Sequence, residues 1–307
     1  MREGRRFIDL ARTFSIITTC MGRLDHLKQS LPKMVAQACN EVIVVDFSCP
    51  DEAGKFVAAN FPSVQVVSVE GEKHFSNWKA RNAGAALATS EVLVFVDADT
   101  ILAEDAVDWL SGHFEQGAYG FFHREASKSF NPDGPRLAAN QLKGFHVIPT
   151  SAFRRVGGYD EVLQGYAAGA DTDLEERLGL AGLARSALDP RIVDQVIQHD
   201  AASRIRNHAV PVKTSYCAGL LYRTAKRTLL RLRGKLELPL RTRENLYTAA
   251  RKAAQELGSK ADRVTLTVNV GTQPIMMPRQ LGYERGDETL SVRVEVSLHG
   301  KLEQLPD

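Results

Sequence analysis

Runs of apolar residues that end in small polar or acidic groups mark the first third of the chain. Val92-Leu93-Val94-Phe95-Val96 is followed at once by Asp97-Ala98-Asp99-Thr100. A short, β-branched run of this kind reads as a buried strand. Phe14-Ser15-Ile16-Ile17-Thr18-Thr19-Cys20 and Glu41-Val42-Ile43-Val44-Val45-Asp46 have the same form, and Val64 to Val69 is another strand. Helical patterns lie between and after them. Leu24, Leu27, Leu31, Met34 and Val35 recur at helical spacing, and Asp51 to Asn60, Ser76 to Thr89 and Glu104 to Phe114 follow. Strand and helix alternate four times within about 115 residues, the pattern of βα units on a mostly parallel sheet. Right-handed crossovers then put Thr19, Asp46 and Asp97 on one rim, where open α/β sheets bind ligands. No glycine-rich phosphate loop of the common types is present.

The middle is less regular. Tyr119 to Arg124 and Gly144 to Pro149 read as strands, with a turn-rich loop from Ser127 to Pro135 between them. Phe153 to Glu161 reads as a short helix stopped by Gly157 and Gly158. Gly165 to Ala170 is a small-residue loop opening a helix from Asp171 or Thr172 to Leu180, and Arg191 to Gln198 is a strand followed by His199. From Tyr216 to Arg243 eight cations sit among leucines, with Glu237 the only acid, and a further helix runs from Arg243 to Leu257. Arg263 to Val270 and Thr289 to Val296 alternate with period two, as half-buried antiparallel strands do.

Composition narrows the class. The 307 residues are 44% hydrophobic and 25% charged, and a net charge of +2 makes no case for nucleic acid. Cys20, Cys39, Cys49 and Cys217 show no CxxC or metal-ligand spacing and read as reduced structural thiols. No stretch approaches the roughly 18 to 20 apolar residues of a membrane span. Asp9 and Arg12 interrupt what would be the apolar part of a signal peptide. A cytoplasmic location is expected.

Two carboxylates at a strand end need a counter-charge. A divalent cation bridging a diphosphate supplies one, because hard cations take carboxylate and phosphate oxygens together. The alternative is that Asp97 and Asp99 cap the next helix. Asp46 reads equally as a strand-end turn former, Arg81 as a solvated helix residue, and His199 as a satisfied structural histidine. As a metal ligand His199 has to be neutral, with its other nitrogen held.

An ordered set of segments carries a resemblance: Thr18 to Arg23, Val44 to Ser48, Asn77 to Gly84, Val94 to Asp99, Val156 to Glu161, Gly169 to Leu174, and His199. Together they resemble family 2 glycosyltransferases of the GT-A fold, particularly bacterial transferases of the chondroitin-polymerase and galactosyltransferase types. The resemblance spans roughly residues 14 to 208. It implies an α/β fold with a mostly parallel central sheet flanked by helices; the residue patterns add a basic helical segment and a C-terminal β-hairpin. The expected division is a catalytic domain over 1–210, with a nucleotide-binding half at 14–115 and an acceptor half at 116–210. Residues 211–307 then hold the basic helices and the strand pair.

The resemblance also implies roles. Asp46 and the backbone near Thr19 hold the base, Arg23 and Arg81 lie by the nucleotide, and Asp97 faces the ribose. Asp99 and His199 bind Mn²⁺ or Mg²⁺, Asp171 is the base, and Tyr159, Asp160 and Asp173 contact the acceptor. Ala170 stands where the family usually has Glu. The activity implied is inverting, metal-dependent transfer from a UDP-sugar to a glycan or lipid-linked acceptor, in surface polysaccharide biosynthesis. The Gln-x-x-Arg-Trp stretch of processive relatives is absent, so one sugar is added per encounter. The competing readings are a nucleotidyltransferase, a non-catalytic nucleotide-sugar-binding module and an assembly subunit. The 216–243 segment reads either as a peripheral contact with an anionic membrane or as a solvated helix packing its leucines inward. The sequence leaves oligomeric state, donor sugar and linkage open.

Overall fold

A computed structural model describes residues 12–122, 142, 144–198, 206–256, 263–279 and 282–297. The chain forms two compact units. The first comprises Met1–Gly158 and Ala181–Asp200, the second Tyr159–Leu180 and Ala201–Asp307. This division cuts across the boundary expected at 210, because the Tyr159–Leu180 segment clusters with the C-terminal third.

The first unit is built on four parallel strands: β1 (Phe14–Cys20), β2 (Glu41–Phe47), β3 (Gln65–Val69) and β4 (Val92–Phe95). β6 (Ala118–Phe121), β7 (His146–Pro149) and β8 (Ala184–Ala187) extend the sheet in the order β3-β2-β1-β4-β7-β6-β8, with β7 antiparallel to both its neighbours. Every residue of β1 is buried, as expected of a central strand covered on both faces. On one face Ile16, Val44 and Val94 join Leu27, Leu31 and Met34 of α1 (Leu24–Val35) in the core. On the other lies α3 (Asn77–Leu87), so close that a Cβ on Gly84 would meet Ile17 Cγ2 at 2.6 Å. Ser76 caps α3 by accepting from Lys79 N–H. α2 (Ala53–Asn60), α4 (Ala106–His113) and α5 (Thr150–Arg155) complete the unit. Gly157 and Gly158, at φ 79° and 69°, follow α5 where a helix stop was expected.

The expected strand at Arg191–Gln198 is shorter. Pro190 starts a 3-10 turn, Pro190–Ile192, capped by the Asp189 side chain, and β9 follows at Val193–Val196. β9 pairs antiparallel with a strand not foreseen, β5 (Thr100–Leu102).

In the second unit α6 spans Ala170–Leu180, α7 Val212–Arg233 and α8 Leu240–Glu256. Gly234, left-handed at φ 58°, ends α7. Tyr222 and Tyr247 meet edge to face, joining α7 to α8. β10 (Arg263–Arg279) and β11 (Gly282–Ser297) form an antiparallel pair, with Leu266 and Val294 buried. The strands run past the expected Val270, through Pro274 and Pro278. A two-stranded ribbon accommodates proline because each strand keeps a free edge.

The basic segment departs from a simple solvated face. Lys226 is fully buried, Arg227 pairs with Glu176, and Arg243 reaches Asp160. Leu221, Leu229 and Leu230 face inward. Among the described residues no helix is long and apolar enough to cross a membrane.

Candidate functional site

Parallel register brings the expected donor residues to one rim. Cys20 pairs with Asp46 and Ile17 with Phe95, so Thr19 and Asp97, two residues beyond Ile17 and Phe95, stand at the same level of the rim. The chain turns sharply there: Thr100 N–H donates to the Asp97 carbonyl at 3.0 Å. α4 starts six residues beyond Thr100 with Asp105 at its N-cap. The helix-capping reading of Asp97 and Asp99 is therefore excluded.

Arg81 is not solvated. It is 1% exposed, lies 5.7 Å from the centre of the Phe95 ring, and donates to Asp97 Oδ1 at 2.6 Å. The Asp97 side chain keeps 33% of its surface open. Gly144 crosses over this pair. A Cβ there would come within 2.4 Å of Asp97 Oδ2 and 2.7 Å of Arg81 Nη2.

Asp46 acts as a turn former. Its Oδ1 accepts from Cys49 N–H at 2.8 Å and its Oδ2 from Gly54 N–H at 2.6 Å. A carboxylate has about four acceptor positions, so this role leaves capacity for a ligand. Thr19 Oγ donates to Asn77 Oδ1, tying the end of β1 to the start of α3. Arg23 Nη1 lies 3.4 Å from His26 Nδ1.

The Asp99 carbonyl accepts from Ile197 N–H at 2.7 Å. The β5–β9 pair thus carries the chain past Asp99 two residues before His199, which lies outside the described residues, as does the Ser127–Pro135 loop. Oxygen from Asp99 and imidazole nitrogen from His199 suit a hard or borderline divalent cation.

In the second unit Asp171 is half-buried in the first turn of α6. Before it come Gly169 (φ 81°), against whose α-carbon the Arg223 guanidinium packs, and Ala170, which is fully buried. Asp171 is therefore carried on a regular helix end rather than on the loop.

Asp160 and Asp173, expected to contact the acceptor, are buried and engaged within the second unit. Asp160 Oδ2 accepts from Lys226 Nζ at 2.6 Å and from Tyr222 OH at 2.5 Å, and its Oδ1 accepts from Arg243 Nη1 at 2.6 Å. Asp173 accepts from Arg177 at 2.7 Å and Lys226 at 3.1 Å, and Lys226 also donates to Glu237 at 2.8 Å. Burial alone would raise the Asp160 carboxyl. Lys226 and Arg243 overcome it and hold the group well below the usual carboxylate range. Burial, with Asp160 beside it, drives the Tyr222 phenol upward. Tyr159 is buried too. Asp160, Asp173 and Glu237 lie close enough together to hold a metal, but Lys226 Nζ, in contact with all three, already provides a cation. Sequence reasoning missed this centre, although the spacing Tyr222, Lys226, Leu229 places the lysine in the apolar stripe of α7.

The mostly parallel sheet flanked by helices, with its antiparallel β7, is the arrangement of the GT-A fold. Residues 15–159, just under half of the chain, match the model of Glycosyl transferase family 2, and this segment belongs to that family. No curated protein sequence matches the chain significantly. Among solved structures it is similar to a mannosyltransferase from Pyrobaculum calidifontis, PcManGT, in complex with GDP-Man and Mn²⁺ (17% identity, TM-score 0.50, 80% of this chain and 76% of that one). It is also similar to S. aureus TarS 1-349 in complex with UDP-GlcNAc (15% identity, TM-score 0.54, 80% and 72%). At these identities the likeness speaks for the fold alone.

Proposed function

We propose that the protein is an inverting, metal-dependent glycosyltransferase that moves one sugar from a nucleoside-diphosphate sugar, a UDP-sugar, to a hydroxyl of a glycan or lipid-linked acceptor in surface polysaccharide synthesis. The observation that carries this reading is the Asp97–Asp99 turn. Asp97 is anchored by buried Arg81 yet open to solvent, and the strand leading to His199 is pinned beside Asp99. In this reading Asp97 faces the ribose, and Asp46 with the backbone at Thr19 holds the base. Arg23 lies near the diphosphate, and Asp99 and His199 hold Mn²⁺ or Mg²⁺. The cation, when bound, neutralises charge that develops on the leaving diphosphate. Asp171, at the start of α6, takes the proton from the acceptor hydroxyl. The solved neighbours with GDP-Man and Mn²⁺ and with UDP-GlcNAc support a nucleotide-sugar partner.

The buried Ala170, where the family usually carries Glu, favours one second reading: a module that binds nucleotide sugar without turnover. The surface offered to an anionic membrane is the α7–α8 turn. There Leu232 and Leu240 are more than half exposed among the exposed Arg231, Arg233, Lys235 and Arg241.

Calorimetry with UDP, with and without Mn²⁺, tests the donor site. Binding is expected to require the cation and to be lost in Asp99→Asn. Failure of the wild-type protein to bind any nucleoside diphosphate overturns the proposal.

A further inference from the structure

The ends of β1 and β2 bring together two thiols that the sequence keeps 29 residues apart. Cys20 is the last residue of β1 and is fully buried. Cys49 lies just beyond β2, 8% exposed. Their sulfurs are 3.8 Å apart. Cys49 Sγ also accepts from Gly22 N–H at 3.3 Å, so this one sulfur joins the turn after β1 to the turn after β2.

The second turn is tightly wound. Ser48 and Glu52 have φ of 47° and 53°, a left-handed conformation that non-glycine residues rarely adopt. The Asp46 carboxylate holds the turn through Cys49 N–H and Gly54 N–H, and Ser48 fastens its other side to Val69 and Glu72. Backbone over-determined in this way is where strain is kept at functional sites. A disulfide sulfur pair lies about 2.05 Å apart. Closing the gap therefore moves Cys49 toward β1 and pulls on the N–H that Asp46 holds.

We propose that Cys20 and Cys49 form a peroxide-responsive dithiol that closes to a disulfide and, in doing so, weakens nucleotide binding at the β1–β2 rim. The effect on binding rests on the donor-site reading above; the disulfide itself does not.

The two sulfurs are unequal in the way such chemistry needs. The thiolate is the nucleophile. The contact with Cys20 and the backbone N–H groups of Gly22, Asp51 and Ala53 bring the Cys49 thiol down to about 6, against the opposing effect of burial. The same contact, together with burial, drives Cys20 strongly upward. Cys49 is thus the attacking sulfur and Cys20 the resolving one.

The steps balance. Cys49 thiolate attacks one peroxide oxygen, the O–O bond breaks, and the other oxygen leaves as hydroxide, leaving a sulfenic acid on Cys49. Cys20 sulfur then attacks Cys49 sulfur. The S–S bond forms, and the sulfenic oxygen leaves as water with the Cys20 proton. The hydroxide takes up the proton Cys49 had released. Two thiols and one peroxide become one disulfide and two waters; the sulfurs together lose two electrons and the peroxide gains them. A dithiol restores the pair by exchange. In a reducing compartment a disulfide of this kind is transient and signals oxidant.

The test uses the full chain. Protein treated with hydrogen peroxide is alkylated and peptide-mapped, and UDP binding is measured by calorimetry before treatment, after it, and after reduction with dithiothreitol. The expected result is a Cys20–Cys49 linkage and an affinity for UDP lowered roughly tenfold, both reversed by reduction. Cys20→Ser should stop at a sulfenic acid trapped by a dimedone probe. Cys49→Ser should bind UDP equally with and without peroxide. Cys20 and Cys49 that remain open to alkylation after peroxide overturn the proposal, as does a linkage that leaves UDP affinity unchanged. Reduced protein that binds no nucleoside diphosphate removes the donor-site reading and the effect on binding with it, while the peptide map still decides the dithiol.

Discussion

Lys226→Met is the most informative single change in the second unit. Methionine nearly matches lysine in length and is apolar, so the substitution removes a charge and leaves little cavity. The buried centre holds three carboxylates (Asp160, Asp173, Glu237) and three cations (Lys226, Arg177, Arg243). Without Lys226 it is three against two. Breaking a buried ion pair by removing one partner costs about 3–5 kcal/mol, because the remaining charge is uncompensated. Asp160 and Asp173 are almost dry, whereas the Glu237 side chain keeps 20% of its surface. Water can take up part of the imbalance at Glu237, so a loss of about 3 kcal/mol, the lower end of that range, is expected. That is a large share of the roughly 5–15 kcal/mol of an ordinary domain.

The pH dependence has a definite sign. In the wild type the Asp160 carboxyl is depressed on folding. Its stabilising contribution is present above the unfolded value, near about 4, and is lost as pH falls through the folded one. In the variant the largest counter to burial is gone and only Arg243 and Tyr222 oppose it, so the same carboxyl moves up from its wild-type position and part of its stabilising contribution at neutral pH is lost. Urea unfolding followed by far-UV circular dichroism at several pH values should show the gap between the two proteins widest near neutrality and narrowing toward pH 4 or so. Adding Asp160→Asn to Lys226→Met restores two against two and should recover part of the loss. A gap under about 1 kcal/mol, no larger than one ordinary hydrogen bond, or one that does not change with pH, refutes the reasoning.

Three further outcomes are expected. Asp171→Asn keeps the shape and removes the proposed base, so turnover should fall by roughly two to four orders of magnitude with UDP binding unchanged by calorimetry; an active variant would show that the proton goes elsewhere. Gly144→Ala puts a methyl against the Arg81–Asp97 pair, and UDP affinity should drop about tenfold, or 1.4 kcal/mol, with a lower melting temperature. Unaltered binding would separate this pair from the donor site. Flotation with anionic vesicles should succeed at low salt and fail at high salt. Arg231→Gln with Arg233→Gln should weaken it by about 2 kcal/mol, at about 1 kcal/mol per cation, and equal binding to neutral vesicles would discard the membrane contact.

The strands of the parallel core were legible because residues covered on both faces have to be apolar. β1, β2 and β4 are largely apolar runs for that reason, and the polar groups at or just beyond their ends, Thr19, Asp46 and Asp97, mark the rim. β5 and β8 were not legible. β5 has three residues, and β8, Ala184-Arg185-Ser186-Ala187, is largely exposed, so neither carries a periodicity that separates it from loop. Yet β5 does most to arrange the candidate cation site, since its pairing with β9 lays the residues before His199 alongside Asp99. Lys226 was hidden by its chemistry. A lysine among leucines and arginines reads as part of a basic face unless three acids are known to converge on it. Those acids come from residues 160, 173 and 237, a convergence that only the folded chain shows. The thiol pair escaped for the same reason: 29 residues of spacing say nothing, while adjacent parallel strands bring the two sulfurs together.

Asp171 and Asp173 could not be told apart by sequence, since either acid near the start of a helix can cap it or serve as a base. The structure separates them by the face of α6 on which each lies and by what holds Asp173. Asp173 lies four residues before Arg177 on the inward side of α6, and its oxygens are taken by Arg177 and Lys226. A carboxylate held by two cations is a weak base, because both hydrogen bonds stabilise the ionised form and would have to be given up on protonation. Asp171, two residues earlier and so displaced around the helix by about 200° at roughly 100° per residue, falls on a different face and keeps part of its surface. The same turn of helix thus has one acid fastened into the ion centre and another directed away from it. On the proposed mechanism, the rigidity of the first gives the second a fixed place from which to meet a hydroxyl.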